Sequence, residues 1–292
     1  MRTMLLATFE LMPYGEPGGD LLLHALAERG VEAAWAVWTD PGVDWSRADA
    51  VVVRATWDYH RRLPEFLAWL DAVGTATLLV NDAATLRWNA DKRYLLDLAE
   101  DLPVVPTRSV AADELLAGLR DGLADHGTVV VKPRVGASGV GVVVAEATDD
   151  IRLAGLTAGP WVVQPLVESV RTEGELSVYV FGGEAVTQLR KLPAAADIRV
   201  QEEHGGTTTA VPLDRDAAAL AERAVAVAAG RLGRRPAYAR VDLLRWEGRL
   251  VLSELELIEP GLYLDLAPRN ADALAEHLAQ RLAQHLAERP VG

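Results

Sequence analysis

VVVKPRVGASGVG, residues 129–141, runs from a hydrophobic strand into a glycine-rich turn with a lysine at the join. Val129, Val130 and Val131 are β-branched and apolar, the composition of a buried strand. Gly136, Gly139 and Gly141 free the backbone to aim N–H groups at an anion, and Ser138 adds a hydroxyl donor. Lys132 stands where its ammonium can reach a phosphate oxygen. The same residues also suit an ordinary hairpin turn, so the loop alone leaves two readings. It is not a nucleophile elbow, because GxSxG would need glycine at Val140. GxGxxG does not follow the first strand and GxxxxGK[ST] occurs nowhere, which sets aside the dinucleotide-binding and P-loop folds. Lys132, Lys92 and Lys191 are the only lysines in a chain with 29 basic side chains. Where ordinary cations are written as arginine, a retained lysine marks a need for a compact point charge on a flexible stem, or else survives by accident of composition.

A second constellation lies on YARVDLLRW–EG–RLVLSELEL, residues 238–257. Glu254 and Glu256 are two apart and point to one face of their strand, with Asp242 roughly opposite on the partner. Their neighbours are Val, Leu and Ile, so the acids look inward. Three buried carboxylates cannot all ionise without a cation between them. Oxygen ligands at this count suit Mg²⁺, which keeps its remaining sites for phosphate oxygens and water. The plainer alternative is a solvated acidic face. Glu259 continues the run but precedes Pro260 and reads as structural. Arg190, Lys191 and Arg199 bracket a polar segment, 194–210, that contains HGGTTT and reads as a mobile flap. Cations there either clamp a transferring phosphoryl group or are ordinary surface charge.

The length of 292 residues exceeds one comfortable core and implies two or three packed subdomains. No apolar run approaches the roughly 18 residues needed to span a bilayer. MRTMLLATFELMPYG lacks an A-x-A-like site and reads as a first buried strand rather than a signal peptide. The lack of cysteine excludes disulfides, thiolate catalysis, Cys-ligated zinc and iron–sulfur clusters, and is compatible with the cytoplasm. A net charge of −13 repels nucleic acid and anionic lipid, yet allows a small anion in a locally basic pocket. The six histidines show no HExxH spacing.

Strands are expected at 3–8, 31–38, 49–54 and 76–80. A helix that Asp20 caps, ending at Gly30, and another at 63–73 alternate with them, the pattern of a parallel sheet. Beyond residue 90, helices are expected at 91–100, 112–124, 214–231 and 271–287. Strands at 128–132 and 140–145 flank the glycine-rich turn. WVVQPLV, ELSVYVF and EAVTQLRKL read as antiparallel, with Gly182-Gly183 as a hairpin turn.

In order and spacing these features resemble the ATP-grasp superfamily of carboxylate–amine ligases, over about residues 85–290. The resemblance implies an α/β fold that becomes α+β toward the C-terminus. A parallel-sheet domain (1–90) would be followed by two α+β subdomains that clamp ATP (91–166 and 167–292). It assigns Lys92, Lys132 and the loop of Gly136, Ser138, Gly139 and Gly141 to the ATP phosphates. Gln164, Leu166 and Val167 would hold the adenine, and Glu175 the ribose hydroxyls. The superfamily's metal motif, an Asp followed by E-x-N, corresponds to Asp242, Glu254 and Glu256. Glu in place of Asn keeps an oxygen donor, so Mg²⁺ is expected, as two ions, with Mn²⁺ able to substitute.

RKLPAAADIRVQEEHGG is similar to bacterial glutathione synthetases. That likeness puts Lys191 and Arg199 at the transferring phosphoryl group, with Gly205 and Gly206 lining the site. VRATWDYHRR and ELELIEPGL are similar to O-ureido-D-serine cyclo-ligases and their relatives. The implied activity is ATP- and Mg²⁺-dependent ligation of a small amino-acid-like substrate through an acyl phosphate. Intramolecular cyclisation is one alternative, and a non-catalytic ATP-binding regulator is another. Members of the fold often pair, so a homodimer is also open. Arg54, Thr56 and Asp58 follow a strand whose C-terminal end faces the ligand side of an open sheet. Arg54 there either grips a substrate carboxylate or pairs structurally, and Tyr14 is a candidate rim residue.

Overall fold

The computed structural model describes residues 2–195 and 197–288. Strands β1 (Arg2–Thr8), β2 (Val31–Val37), β3 (Ala50–Ala55) and β4 (Leu78–Val80) form a parallel sheet in the order β2-β1-β3-β4. β3 is buried at every residue, which is why residues 50–53 form a continuous apolar run rather than an alternation, with the buried Arg54 following. Helices α1 (Gly19–Glu28) and α2 (Leu63–Ala76) make the crossovers. Asp20 does not cap α1: Gly18, with φ 71°, holds that position, and Asp20 lies inside the first turn.

A separate helix not expected from the sequence, α3 (Ala83–Asn89), precedes the one expected over 91–100, which is shorter, α4 (Tyr94–Leu98). Asp82 caps α3 by accepting from Thr85 N at 3.0 Å. The break falls where Lys92 N donates to Arg134 O at 2.9 Å and Arg134 Nε to Asp91 at 2.8 Å. These tertiary bonds replace the helix's own.

A small antiparallel sheet carries the glycine-rich turn. Its strands β5 (Arg108–Val110), β6 (Val129–Pro133), β7 (Val143–Ala145) and β8 (Trp161–Pro165) run in the order β5-β8-β6-β7. Helix α5 (Leu115–His126) covers it through Leu119. A short helix, α6 (Ser169–Thr172), leads to the larger antiparallel sheet. There β9 (Glu175–Phe181), β10 (Glu184–Leu192), β11 (Thr207–Val211), β12 (Tyr238–Trp246) and β13 (Arg249–Glu256) run in the order β11-β10-β9-β12-β13. Glu247 and Gly248, both with positive φ, close β12 onto β13 in the two-residue turn that suits strand twist. Of the flap expected over 194–210, residues from Thr207 on are the ordered edge strand β11 and Glu202–His204 form a single 3-10 turn, while Ala196 lies outside the described residues.

Helix α7 (Arg215–Leu232) lays Ala217, Ala221, Ala224 and Ala228 on one face of the larger sheet. Helix α8 (Arg269–Glu288) covers the other, where Leu274 and Leu278 pack with Leu22 and Leu26 of α1 and with Tyr179 and Phe181 of β9. That shared core joins the parallel sheet to the larger antiparallel one.

Beyond β13 the chain forms a strap, residues 257–263, whose backbone groups are satisfied by side chains rather than by a strand. Asn89 accepts from Leu257 N and donates to Leu255 O, both at 2.7 Å. Tyr238 Oη donates to Ile258 O, Trp57 Nε1 to Glu259 O and Arg54 Nη2 to Pro260 O. Buried backbone groups must be paired, and here the N-terminal domain supplies many of the partners. Asn89→Ala orphans two of them, so we expect a loss of about 2–4 kcal/mol in chemical denaturation. A change below about 0.5 kcal/mol, typical of surface positions, would show that the strap is held otherwise.

Candidate active site

Between the two antiparallel sheets lies a cavity of about 420 Å³, the size of a small-molecule site. One end is apolar and is walled from both sheets by Val105, Val130, Leu166, Val167, Leu244 and Leu255. Gln164 closes this end, its amide donating to Thr107 Oγ1 at 2.8 Å.

The middle of the cavity is charged. Lys92 Nζ is 2.8 Å from Glu254 and donates to Gly136 O at 3.1 Å. Burial lowers the Lys92 pKa, but Glu254 more than restores it. Lys191 is buried, 3.8 Å from Glu175 and 5.6 Å above the Tyr263 ring, whereas Arg190 is exposed on the opposite face of β10. Lys132 lines the cavity, its ammonium has no hydrogen bond or ion pair among the described residues, and burial pushes its pKa down.

The carboxylates answer to these cations. Burial works against ionised Glu254, but Lys92 and Lys132 outweigh it and hold the group below its ordinary range. Burial raises Glu256 to about 7, although Arg240 works the other way. Glu175 is pushed up to about 8 by burial and by the nearby charge of Asp242.

Glu254 and Glu256 face the cavity, but Asp242 does not. Its carboxylate accepts from Ser177 Oγ at 2.6 Å and from Arg240 Nε at 3.0 Å. Arg240, which had not stood out in the sequence, also binds Glu256. Of the expected trio, Glu254 and Glu256 line the cavity, and Asp242 stands one layer back holding the guanidinium. Among the described residues no three acidic or histidine side chains converge on one point. Two carboxylates on one wall still fit Mg²⁺, which takes one or two and completes its shell with phosphate oxygens and water.

The segment after Lys191 folds over the glycine-rich loop. His204 Nε2 lies 3.0 Å from Ser138 O, and a Cβ on Gly139 would meet Gln201 Oε1 at 3.0 Å. Gly136, Ser138 and Gly139 line the cavity, while Gly141 packs against Thr157 instead. Arg199 lines it too, with its guanidinium 2.6 Å from Asp197. Gly205 and Gly206 lie outside it and close the turn that follows, through bonds to Glu202 O and Gln201 O.

The expected substrate residues are not on the wall. Arg54 is 0% exposed, its Nη2 bound to Glu16 Oε1 and to Pro260 O, both at 2.7 Å. It fastens the strap from behind the wall, with its Nε and Nη1 buried and without a hydrogen-bond partner among the described residues. Thr56 is buried, Asp58 accepts from Trp38 Nε1 at 2.9 Å, and Tyr14 is 88% exposed. The wall is built instead by Trp57 and Tyr59 from the same stretch, facing Glu259, Gly261 and Tyr263 of the strap. Polarity was the misleading signal: the fold buries Arg54 and Thr56 and ties Asp58 to Trp38, and the aromatic side chains line the cavity.

Residues 97–231 match the family model described as "Prokaryotic glutathione synthetase, ATP-grasp domain". Residues 4–81 match "D-cycloserine synthetase DcsG, N-terminal domain". Taken with the cavity and its cations, and with the similarity that follows, these matches show that the chain belongs to the ATP-grasp ligases, enzymes that use ATP and Mg²⁺ to join a carboxylate to an amine. Among its relatives is the cycloserine biosynthesis protein DcsG of Streptomyces lavendulae, 37% identical over 276 residues, 88% of this chain and 92% of the relative. The crystal structure of D-cycloserine synthetase DcsG superposes with a TM-score of 0.86 at 34% identity, covering 96% of this chain and 99% of that one. A glutathione synthetase of Rhodopseudomonas palustris is 28% identical over 178 residues, 59% of this chain and 55% of the relative. Among the described residues no helix is long and apolar enough to cross a membrane.

The raised carboxyls make stability depend on pH. Glu256 and Glu175 titrate near 4.5 when unfolded and at about 7 and about 8 in the fold. The folded state then holds more protons in that interval, so their contribution is complete below 4.5 and is lost as pH rises through about 7 to 8. Without Mg²⁺ or nucleotide, the melting temperature should fall across this window, and Glu175→Gln and Glu256→Gln should each flatten the fall. Equal slopes in wild type and variants would contradict the assignment.

Proposed function

We propose that the charged middle of the cavity is where a substrate carboxylate is phosphorylated and then captured by an amine. The observation that carries this reading is Lys132, an ammonium on the cavity wall without an acidic partner, between an apolar slot and a second, aromatic-walled lobe. A phosphate would complete it. Adenine fits the slot beside Gln164, Leu166 and Val167, with Glu175 within reach of the ribose. Lys92, Lys132 and the N–H groups of the 136–141 loop then hold the phosphates. Glu254 and Glu256 would hold Mg²⁺, as two ions with Mn²⁺ able to replace them. The metal, when bound, supplies neutralising charge between the phosphates.

Lys191, Arg199 and Arg240 are the cations closest in role to the transferring phosphoryl group. The chain's part is positioning and charge neutralisation, with no covalent side-chain nucleophile. Residues 197–204 keep water from an acyl phosphate that would otherwise hydrolyse. A small amino-acid-like molecule suits the lobe walled by Trp57, Tyr59 and Tyr263. A second reading, in which acyl group and amine belong to one molecule, is favoured by the match of residues 4–81 to the DcsG N-terminal domain.

ADP release measured against a panel of amino acids and O-substituted serines tests both. Turnover with a single substrate supports cyclisation; a requirement for a separate amine supports joining two molecules. Tight ATP binding with no turnover across the panel would favour a nucleotide-sensing protein instead. Lys132→Ala should lower kcat/KM for ATP on the order of 10²-fold. Lys132→Arg should not restore it, because a guanidinium fork does not reproduce a compact ammonium. An active Lys132→Arg enzyme would contradict that role.

A further inference from the structure

Leaving aside the exposed Glu202, Glu203 and Asp265, each acid around the cavity has a cation partner except one. Glu254 has Lys92 at 2.8 Å, Glu175 has Lys191 at 3.8 Å, and Glu16 has Arg54 at 2.7 Å. Asp242 and Glu256 share Arg240. Glu259 is only 8% exposed and lines the cavity, yet its carboxylate has no hydrogen-bond or ion-pair partner among the described residues. A buried carboxylate without a partner is costly, and a hydrophobic residue of similar size would avoid the cost.

The surroundings hold Glu259 where it is. Its own carbonyl accepts from Trp57 Nε1 at 3.0 Å, and the next two carbonyls accept from Arg54 at 2.7 Å and from Tyr179 Oη at 3.1 Å. Leu262 N donates to Glu16 Oε2 at 2.8 Å, so the Arg54–Glu16 pair clamps the strap beyond it. The backbone cannot carry the carboxylate out to solvent without breaking these bonds. Trp57, Tyr59 and Tyr263 line the same lobe, and Tyr263 already carries the Lys191 ammonium 5.6 Å over its ring, so aromatic rings here favour a cation. Tyr263 keeps a φ of 49°, a left-handed conformation that costs a non-glycine residue energy and that accumulates at ligand sites.

We propose that Glu259 receives the protonated amino group of an amino-acid substrate. The lobe then reads a zwitterion. Lys132, Lys191 and Arg240 draw the carboxylate toward the phosphates, and Glu259 draws the ammonium to the opposite end through charge-assisted hydrogen bonds. This fixes which end of the substrate meets the transferring phosphoryl group. The orientation rests on the ligase reading; the ammonium contact does not.

The test is calorimetric titration of the full chain, saturated with Mg²⁺ and a non-hydrolysable ATP analogue. The probes are D- and L-alanine paired with D- and L-lactate, and D- and L-serine paired with D- and L-glycerate, each pair differing by ammonium against hydroxyl. The wild-type protein should prefer at least one amine-bearing probe to its hydroxy partner by about tenfold or more. Glu259→Gln should abolish that preference by weakening the amine-bearing probe alone, and Glu259→Asp should keep part of it. Analogue affinity and the Mg²⁺ concentration for half-saturation should be unchanged in Glu259→Gln, and its melting temperature should not fall.

Equal weakening of both probes would make Glu259 structural, and a shifted Mg²⁺ dependence would make it a metal ligand; either overturns the proposal. So does a wild-type protein that binds no amine-bearing probe or shows no preference for one. ADP formation on the wider panel reads the ligase activity separately, so a failure of ammonium recognition and a failure of ligation are told apart.

Discussion

Opposite charges buried together at the base of the β12–β13 hairpin constrain much of the fold around them. Asp242, Glu254, Glu256 and Glu175 sit among valines and leucines, where carboxylates ionise only beside a cation. The cations come from three places: Lys92 from the break between α3 and α4, Lys191 from the end of β10, and Arg240 from β12. A continuous helix through residue 92 would not deliver the first of these, and the break is held open by Arg134. Among the described residues that line the cavity, this pairing leaves one ammonium, Lys132, and one buried carboxylate, Glu259, without a partner. The two leftover charges mark the sites that a phosphate and a cationic group would complete.

Precision in such a site depends on rigid support. The carboxylates and Arg240 stand on the two-stranded hairpin, and the strap beyond it is fixed by side chains from the parallel-sheet domain. Arg54, Trp57, Asn81 and Asn89 reach across to carbonyls of residues 255–260. The N-terminal domain thus contributes to the cavity in two ways. Its polar side chains brace the strap, and its aromatic ones form the wall. On the other side, His204 on Ser138 O joins the overlying segment to the glycine-rich loop, so both covers of the phosphate region are linked to each other.

Much of this was legible in the sequence. Periodicity alone gave the parallel sheet, because β–α–β alternation with apolar strands leaves few alternatives. Lys132 and its loop were legible because a strand, a lysine and closely spaced glycines are contiguous. Glu254 and Glu256 were legible because strand parity is local. The rest depends on partners far away in the chain. Arg54 read either as a substrate grip or as a structural pair, and only the fold shows it buried, with one guanidinium nitrogen held by Glu16 and by Pro260, 206 residues on. Asp242 looked like a third metal ligand until Arg240 and Ser177 claimed it. Glu259 looked structural because proline follows it, yet its lack of any partner is visible only in three dimensions. Sequence shows a side chain's chemistry and not whether a distant residue has already satisfied it.

The central claim is that a carboxylate is activated by phosphoryl transfer within this cavity, and its most direct test follows an oxygen atom. A substrate that supports ADP release is labelled with oxygen-18 in its carboxylate, turned over in unlabelled water, and the inorganic phosphate is analysed by mass. Carboxylate attack on the γ-phosphate, followed by amine displacement of phosphate, carries a labelled oxygen into the phosphate released. Label in that phosphate is the predicted result; phosphate free of label while ADP and amide accumulate would contradict the account.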